Sequence, residues 1–267
     1  MGFWENLILK IFKVALYGDS LACPRHGVLK SHERYIALIE TFFRSKLFDF
    51  FEIRDKATGG VTLPQLYGQY CQDNTYFSLP GDVLIIHSGI VDCAPRPISE
   101  SMRAKISMLP PFIRNIIISY IHKNRSRLIL KGKKIVKTNK VTFINTLDSF
   151  LESAISNYKK VLIVNICPTT DEFERRSPGL TDSINLYNNL ISDIIKKKDS
   201  PKVLLIDIYK EISNNKNNIE DYIVKEDGHH IRPVTHKIIA EKIIECCKDL
   251  FWCQIPYIIW INLRNLW

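Results

Sequence analysis

The stretch KVALYGDS, residues 13–20, gives the first strong indication of architecture in this chain. A short apolar run that ends in turn-forming residues is typical of a buried strand. Here the run ends in Gly18, Asp19 and Ser20, so a serine follows directly where the chain leaves the sheet. A serine hydroxyl is a weak nucleophile until a neighbouring base takes its proton. The rest of the sequence must therefore be searched for such a base.

Four further segments read as strands, and they alternate with segments that have helical apolar spacing. The strand segments are DFFEIRDKA (49–57), GDVLIIHSG (81–89), KKVLIVNICP (159–168) and PKVLLIDIY (201–209). The helical segments span residues 31–48, 63–74, 181–198 and 233–251. Strands that alternate with helices favour a parallel sheet covered on both faces. The sequence therefore predicts an α/β protein, a three-layer α/β/α sandwich with a five-stranded parallel sheet.

One segment, from about residue 99 to 145, interrupts this alternation and is predicted to be a mostly helical insertion in a single domain of residues 1–267. It holds eight Lys or Arg residues between 122 and 140, which indicate either a phosphate or lipid-headgroup site or a solvated surface. Both chain ends, including an aromatic segment at about 251–267, are rich in large apolar residues. We expect these ends to pack into the core, with a membrane contact or a dimer seam as the alternative.

Composition limits the classes of function. The formal net charge of +9 favours anionic partners, but the basic segment lacks interleaved aromatic residues and does not suggest nucleic acid. Seven cysteines without a C-x-x-C pair argue against a disulfide framework and a zinc site. The sequence has neither a signal-peptide pattern nor an apolar run of about 18 residues. We therefore expect a cytoplasmic protein, with the inner face of the membrane as an alternative location.

The candidate base lies near the C-terminus, in EDGHHIRP at residues 226–233. Asp227 precedes His230 by three residues, and on one loop this spacing lets a carboxylate orient an imidazole. His229 is the competing base. The loop precedes the last predicted helix, so it lies at the same edge of the sheet as Ser20, where parallel sheets bind ligands.

Taken in order, GDS after the first strand, glycine after the second, GIVD (89–92) after the third and D-x-x-H before the last helix resemble the SGNH, or GDSL-type, hydrolase family. The resemblance runs from about residue 14 to 245 and implies the flavodoxin-like SGNH fold. It implies Ser20 as nucleophile, His230 as base and Asp227 as its partner. It also implies an oxyanion hole built from the N–H of Ser20, a glycine N–H and an asparagine side chain. Gly60 is our choice for the glycine, with Gly59 as the alternative.

The chain departs from the family at one position, because Val91 stands where the family has the oxyanion asparagine. Losing one such donor typically costs about 3–4 kcal/mol in the transition state. Asn165, after the fourth strand, and Arg96 are the candidate replacements, and we include Asn165 in the predicted hole. Five residues on the strand-end loops are the predicted substrate-binding residues, namely Asp19, Gly59, Gly89, Asp92 and Arg96.

The resemblance implies a serine-dependent esterase that removes an O-acyl group, with acetyl preferred, from a carbohydrate or other small ester, without cofactor or metal. HSGIVDCAPRP (87–97) and FERRSPG (173–179) resemble a subgroup associated with bacterial surface-polysaccharide gene sets. The first alternative is an O-acetyltransferase with the same acyl-serine chemistry and a donor such as acetyl-CoA. The second is a non-catalytic glycan-binding or scaffold protein. Polysaccharide-assembly proteins and an anionic membrane surface are the other predicted partners.

Overall fold

The structure is a computed structural model that describes residues 11–47, 51–77, 80–132, 135–215 and 218–252. The strands are β1 (Phe12–Gly18), β2 (Phe51–Ala57), β3 (Gly81–His87), β4 (Tyr158–Val164) and β5 (Val203–Ile206). The helices are α1 (Tyr35–Leu47), α2 (Leu63–Phe77), α3 (Ile90–Cys93), α4 (Glu100–Ser107), α5 (Pro111–Lys123), α6 (Arg125–Lys131), α7 (Lys140–Asn157), α8 (Asp171–Arg176), α9 (Leu180–Lys198), α10 (Ile208–Ser213) and α11 (Pro233–Trp252). Short 3-10 helices occupy Ser31–Glu33 and Ile219–Asp221.

The five strands are all parallel and lie in the order β2-β1-β3-β4-β5. At its carboxyl end β1 is paired on both sides, with Gly18 opposite Ala57 of β2 and His87 of β3. The loops after these three strands therefore leave the sheet side by side. The strand order reverses at β1, because β2 lies on one side of it and β3, β4 and β5 lie on the other. Open parallel sheets bind ligands at such a switch point. The predicted five-stranded parallel sheet is confirmed.

The core has two halves, one on each face of the sheet. In β1, Val14 and Leu16 pack with residues of α1 and α11, whereas Ala15 and Tyr17 pack with residues of α2, α7 and α9. Successive side chains of a strand point to opposite faces, so a strand that is buried on both faces reads as an unbroken apolar run. Strands of this kind can be recognised in the sequence. The presence of helices on both faces of the sheet confirms the predicted three-layer sandwich.

The segment between β3 and β4 divides into two parts. The helices α4, α5 and α6 lie within residues 100–131, inside the predicted insertion. The helix α7 begins at Lys140, also inside the predicted limits, but it belongs to the core, because Phe143, Leu147 and Phe150 are at most 1% exposed. Their spacing of four and then three residues is that of one helix face. The insertion therefore ends before α7 and not near residue 145.

Three further expectations concern the chain as a whole. Among the described residues, no helix has both the length and the apolar character needed to cross a bilayer. The six described cysteines are free thiols. The apolar N-terminal segment lies outside the described residues up to residue 10, and the aromatic C-terminal segment lies outside them after Trp252.

Candidate active site

Ser20 lies in the loop after β1 and borders a cavity of about 220 Å³. Neither its hydroxyl nor its backbone N–H makes a hydrogen bond to any described residue. Both groups are therefore available to a substrate, the hydroxyl as a nucleophile and the N–H as an oxyanion donor. We name this space the serine cavity. Its lining residues are Ser20, Ile90, Val91, Ala94, Arg96, His122, Arg125, Phe173, Arg176 and His229.

The loop that carries Asp227 and the two histidines is a closed turn. The N–H of Val224 donates to the carbonyl of His230 at 2.7 Å, and the N–H of Gly228 donates to the carbonyl of Val224 at 2.7 Å. Gly228 has a φ of +75°, and a Cβ at this position would lie 2.3 Å from Cβ of Phe173. Glycine alone tolerates both conditions. The Asp-Gly-His-His sequence therefore folds into a turn that packs tightly against α8.

The predicted pair of Asp227 and His230 is formed in the structure. Nδ1 of His230 lies 3.1 Å from Oδ2 of Asp227, and Oδ1 accepts the backbone N–H of His230 at 2.9 Å. The guanidinium of Arg25 lies 3.3 Å from Nε2 of His230. Because a guanidinium only donates, Nε2 is the unprotonated nitrogen of a neutral ring. The ring proton is then on Nδ1 and points to Asp227, which is the tautomer that a general base requires.

The Asp227 carboxylate is stabilised in its charged form. Burial acts to raise its pKa, but hydrogen bonds from the His230 ring and from the N–H groups of His230 and His229 outweigh burial and hold the pKa well below its usual value. Arg25 forms an ion pair with Oδ2 of the same carboxylate. Asp227 can therefore orient His230 and stabilise its protonated form without taking up the proton itself.

His229, the competing base, has different contacts. Its Nδ1 lies 3.0 Å from the backbone carbonyl of Asp227, and its ring stacks on Phe173 with the centroids 4.8 Å apart. Burial lowers the pKa of His229 to about 4. His229 lines the serine cavity, but its Nδ1 lies 3.5 Å from Oδ1 of Asp227, farther than the 3.1 Å between Nδ1 of His230 and Oδ2. These contacts favour His230 as the base and place His229 in the cavity wall.

Asp19 and Gly89 hold two loops together at the switch point. The Asp19 carboxylate is fully buried and accepts the N–H of Leu21 at 2.9 Å and the N–H of Gly89 at 3.1 Å. Burial raises the pKa of Asp19 to about 7. The structure corrects the prediction that these two residues bind substrate, because their polar groups are already used between the loops after β1 and β3. Their effect on Ser20 is to fix the loop that carries it.

Asp92 is a second buried carboxylate that the sequence analysis assigned to the substrate. Both of its oxygens lie 3.1 Å from the N–H of Leu63, and Oδ1 accepts the hydroxyl of Thr138 at 2.5 Å. The side chain is fully buried, and burial raises its pKa. Asp92 thus joins the loop after β3 to the start of α2 and to the segment before α7. This corrects its assignment to substrate binding, since no part of it is exposed.

Two predicted oxyanion donors lie away from the serine cavity. The side-chain amide of Asn165 donates to Asp207 at 2.7 Å, and its side-chain carbonyl accepts the N–H of Tyr209 at 3.1 Å. Asn165 joins the ends of β4 and β5, so its assignment to the oxyanion hole is corrected. Gly59 and Gly60 form an exposed turn after β2 and do not line the cavity. The roles of these two glycines in the oxyanion hole and in substrate binding stay predictions.

Val91 and Arg96, in contrast, both line the serine cavity. The Nη2 of Arg96 donates to the backbone carbonyl of Val91 at 3.2 Å, while the buried Nε of Arg96 has no partner among the described residues. Of the two groups predicted to replace the family's asparagine, Arg96 is therefore the one that reaches the cavity of Ser20.

Sequence reasoning did not single out three arginines of the site. Arg25 follows Ser20 by five residues in the same loop, Arg125 was counted only as part of the basic segment, and Arg176 lies in the FERRSPG stretch. The short distance from Ser20 is a signal that could have identified Arg25. For the other two, residue type alone does not reveal which of many cations lines a cavity.

The Asp227, His229 and His230 cluster also has a spacing that could accommodate a metal ion, because its ligand atoms lie within 4.8 Å of one another. However, Arg25 already contacts Nε2 of His230 and pairs with the Asp227 carboxylate. A cation at this place would be repelled by the guanidinium charge. The cluster fits proton transfer better than metal binding.

No protein-family model matches the sequence, and a comparison with curated proteins returns no match. Several solved structures do match the fold. A lipase/acylhydrolase from Enterococcus faecalis has a TM-score of 0.62 at 13% identity, covering 89% of this chain and 96% of that one. An alpha/beta hydrolase from the metagenome of Lake Arreo, Spain, has a TM-score of 0.57 at 16% identity, and the match covers 89% of this chain and 95% of that one. An acetylxylan esterase from Geobacillus stearothermophilus has a TM-score of 0.56 at 13% identity, and the match covers 89% of this chain and 94% of that one. This chain has the SGNH hydrolase fold.

Proposed function

We propose that this protein is a serine-dependent esterase that removes an O-acyl group, acetyl in the first instance, from a carbohydrate or related ester. The observation that carries the proposal is the Asp227–His230 pair, held in the general-base tautomer. It lies at the same edge of the sheet as Ser20, whose hydroxyl and N–H are both free to meet a substrate. The names of two structures with this fold, an acylhydrolase and an acetylxylan esterase, agree with the proposal.

The reaction would begin with attack of Ser20 Oγ on the acyl carbon while Nε2 of His230 takes the hydroxyl proton. The N–H of Ser20 would stabilise the oxyanion, with the Arg96 guanidinium as a second donor in place of the missing asparagine. Collapse of this intermediate breaks the ester bond, and the alcohol leaves with the proton from His230. Water, activated by His230, then cleaves the acyl-serine to release the acid and restore Ser20.

An O-acetyltransferase is the alternative that shares the first half of this reaction. In that case a sugar hydroxyl, such as one on a surface polysaccharide, would take the acyl group instead of water, and a donor such as acetyl-CoA would supply it. A second cavity of about 480 Å³ adjoins the serine cavity and shares Arg96, His122 and Arg125 with it. This space offers room for an acceptor as well as for the alcohol part of an ester.

The test is cleavage of 4-nitrophenyl acetate with and without an added sugar acceptor. We expect the parent protein to release nitrophenol, and Ser20→Ala to be slower by about 10³-fold or more at unchanged melting temperature. Ser99→Ala, at the half-buried N-cap of α4, is the matched control. Acetylated sugar among the products would select the transferase. Equal rates for the parent and a folded Ser20→Ala variant would leave the non-catalytic glycan-binding or scaffold role.

A further inference from the structure

We propose that the arginines beside Ser20 bind an oxyanion, either a phosphate or a carboxylate, that is part of the ester substrate. The substrate class would then be an anionic ester and not a neutral acylated sugar. This inference rests on the proposed function only in assigning the anion to the substrate of Ser20. The anion site itself can be tested without any turnover.

Three arginines line the serine cavity without an acidic partner. Arg96, Arg125 and Arg176 form no ion pair with any described carboxylate. Arg25 and Arg34, the arginines nearest to Ser20 in sequence, both pair with an aspartate. No ion pair with this protein's own described carboxylates therefore neutralises these three arginines.

Two of these arginines are partly withdrawn from water, which makes the missing partner significant. The Nε of Arg96 and the Nε of Arg125 are buried and have no hydrogen-bond partner. The Nη2 of Arg125 donates to the carbonyl of Pro95 at 2.9 Å and to the hydroxyl of Ser177 at 3.0 Å, both of which are neutral acceptors. Burial lowers the pKa of both guanidiniums. An unpaired buried cation is costly, and a bound anion would offset that cost.

Arg176, on α8, completes the set. It is the last residue of α8, and its guanidinium carbon lies 5.7 Å from the centroid of the Phe173 ring. A cation over an aromatic face is held in position by the ring quadrupole. Phe173 also stacks on His229, so the same ring connects Arg176 to the loop that carries the catalytic pair.

The adjoining cavity extends the positive region into the insertion. We name it the insertion cavity. It lies against α4 and α5, and it adds Arg103 and Arg114 to the arginines that it shares with the serine cavity. One carboxylate, Glu100, is among its lining residues. The two cavities together therefore carry an excess of positive charge, and the larger one has room for the remainder of a substrate whose acyl ester lies at Ser20.

The chemistry of guanidinium selects an oxyanion as the ligand. Its planar fork of N–H donors matches the paired oxygens of a carboxylate or a phosphate and gives short, charge-assisted hydrogen bonds. A neutral ester would leave the three charges unpaired. A cationic one would be repelled. Phosphate and carboxylate satisfy the same donors, so an experiment has to separate them.

The first experiment measures binding of inorganic phosphate by calorimetry at fixed chloride concentration. We expect Arg176→Gln to weaken phosphate binding at least tenfold. Arg175→Gln is the matched control, because Arg175 is the preceding residue of α8, is also exposed and does not line either cavity. Arg125→Gln should weaken binding as well, and since Arg125 is partly buried its fold is checked by a thermal melt. Arg176 is exposed, so its variant keeps the test valid even if the Arg125 variant unfolds.

The second experiment compares matched aryl acetates. The carboxylate arm is 4-acetoxybenzoate against the neutral 4-acetoxybenzamide, and the phosphate arm is 4-acetoxyphenyl phosphate against 4-methoxyphenyl acetate. We expect the parent to prefer an anionic member by tenfold or more in kcat/KM, and Arg176→Gln to reduce that ratio while Arg175→Gln keeps it. The arm with the larger ratio identifies the anion.

The outcomes separate this inference from the proposed function. Phosphate binding that depends on Arg176, without cleavage of any ester, would support the anion site and contradict the esterase. Cleavage through Ser20 at equal rates for anionic and neutral esters would overturn the anion site and leave the esterase standing. Equal losses in Arg176→Gln and Arg175→Gln would also overturn the site, because they would show a general effect of surface charge.

Discussion

At the residue scale, Arg25 contacts both members of the Asp227–His230 pair at once. Its guanidinium donates to Nε2 of His230 and forms an ion pair with Asp227. Nε2 is the nitrogen that has to accept the proton of Ser20, so Arg25 must turn aside before attack. Its charge also opposes the protonated imidazole that forms as the proton is transferred. Its side chain is 38% exposed, which leaves room for it to move.

We therefore expect Arg25→Met, which keeps much of the side-chain length without the charge, to raise kcat on a neutral activated ester. A gain of about tenfold corresponds to about 1.4 kcal/mol in the barrier. Steady-state kinetics on 4-nitrophenyl acetate measures it. Arg44→Met is the control, because Arg44 also forms an ion pair but on α1, with Glu40. A lower kcat in a well-folded Arg25→Met variant would show that the guanidinium assists the reaction.

The choice of base is a second prediction at this scale. His230→Ala should lose as much activity as Ser20→Ala, about 10³-fold or more, because the two residues act as one unit. Asp227→Asn should lose less, since the carboxylate orients the ring and does not transfer the proton. His229→Ala is the internal control, one residue away in the same loop. An inactive His229→Ala variant beside an active His230→Ala variant would assign the base to His229.

The order of motifs along the chain was sufficient to predict that Asp227 and His230 form a pair, since both precede an element that the sequence shows clearly. The catalytic roles of Ser20, Asp227 and His230 stay predictions. The order of motifs was not sufficient for Asp19 and Asn165. A polar residue at a strand end can bind a ligand or tie neighbouring loops together, and only its burial and partners distinguish these roles. Both residues lie at the correct edge of the sheet, and both are used within the protein.

At the scale of elements, the insertion helix α5 has two different faces. One face lines the insertion cavity through residues such as Ile121. The other exposes Phe112, Ile116 and Tyr120, at four-residue intervals, with 68%, 66% and 59% of each residue accessible. Large exposed apolar patches mark interaction sites. Because the insertion also holds eight Lys or Arg residues between 122 and 140, we propose an anionic lipid surface as the partner of this face.

Ile116→Ser should then reduce co-sedimentation of the protein with phosphatidylserine-containing vesicles several-fold. Val141→Ser is the matched control, because Val141 is also 66% exposed but lies on α7. Raising the salt concentration should weaken the binding of the parent by screening the basic residues. Full recovery of the parent in the supernatant at low salt would contradict the membrane contact, and a concentration-dependent dimer would assign the face to a second copy of the chain.

The elements themselves were predictable to different degrees. The helices α9 and α11 could be predicted from their apolar spacing. The helix α7 was missed, because it begins within a basic stretch that does not directly follow a strand. The apolar positions Phe143, Leu147 and Phe150 were available as a signal. The basic residues in the first part of the segment favoured its assignment to the insertion instead.

At the scale of the whole molecule, the two buried histidines next to Tyr35 make the fold sensitive to acid. His87 and His236 are fully buried, and burial lowers the pKa of each to about 3. Between about pH 6.5 and 3 the unfolded chain binds a proton at each of these positions and the folded chain does not. The contribution of these two histidines to the free energy of unfolding therefore falls as the pH is lowered through this range.

His87→Gln isolates one of these contributions. We expect the stability of the parent to fall more steeply than that of the variant below about pH 6, by about 1.4 kcal/mol per pH unit at most. Urea unfolding at half-unit intervals from pH 7 to pH 4 measures the difference. Above pH 7 the two curves should be parallel. Parallel curves over the whole range would mean that His87 becomes charged in the folded protein.

The overall architecture was the most predictable part, because β1, β3 and β4 are largely buried on both faces and so appear as apolar runs in the sequence. The side-by-side exit of β1, β2 and β3 follows from the parallel order and brings the strand-end loops together. The cavities were not predictable, since they depend on how the insertion helices pack over that edge, and packing of this kind leaves no periodic signal.

The central claim, that Ser20 is a nucleophile activated by His230, is tested most directly by covalent labelling with a fluorophosphonate. Such a reagent phosphonylates an activated serine and releases fluoride, without requiring knowledge of the substrate. Intact-mass and peptide analysis should show one adduct, on Ser20, which is absent in Ser20→Ala and forms at least 10²-fold more slowly in His230→Ala. No adduct on the folded parent, or an adduct on another residue that persists in Ser20→Ala, would contradict the claim.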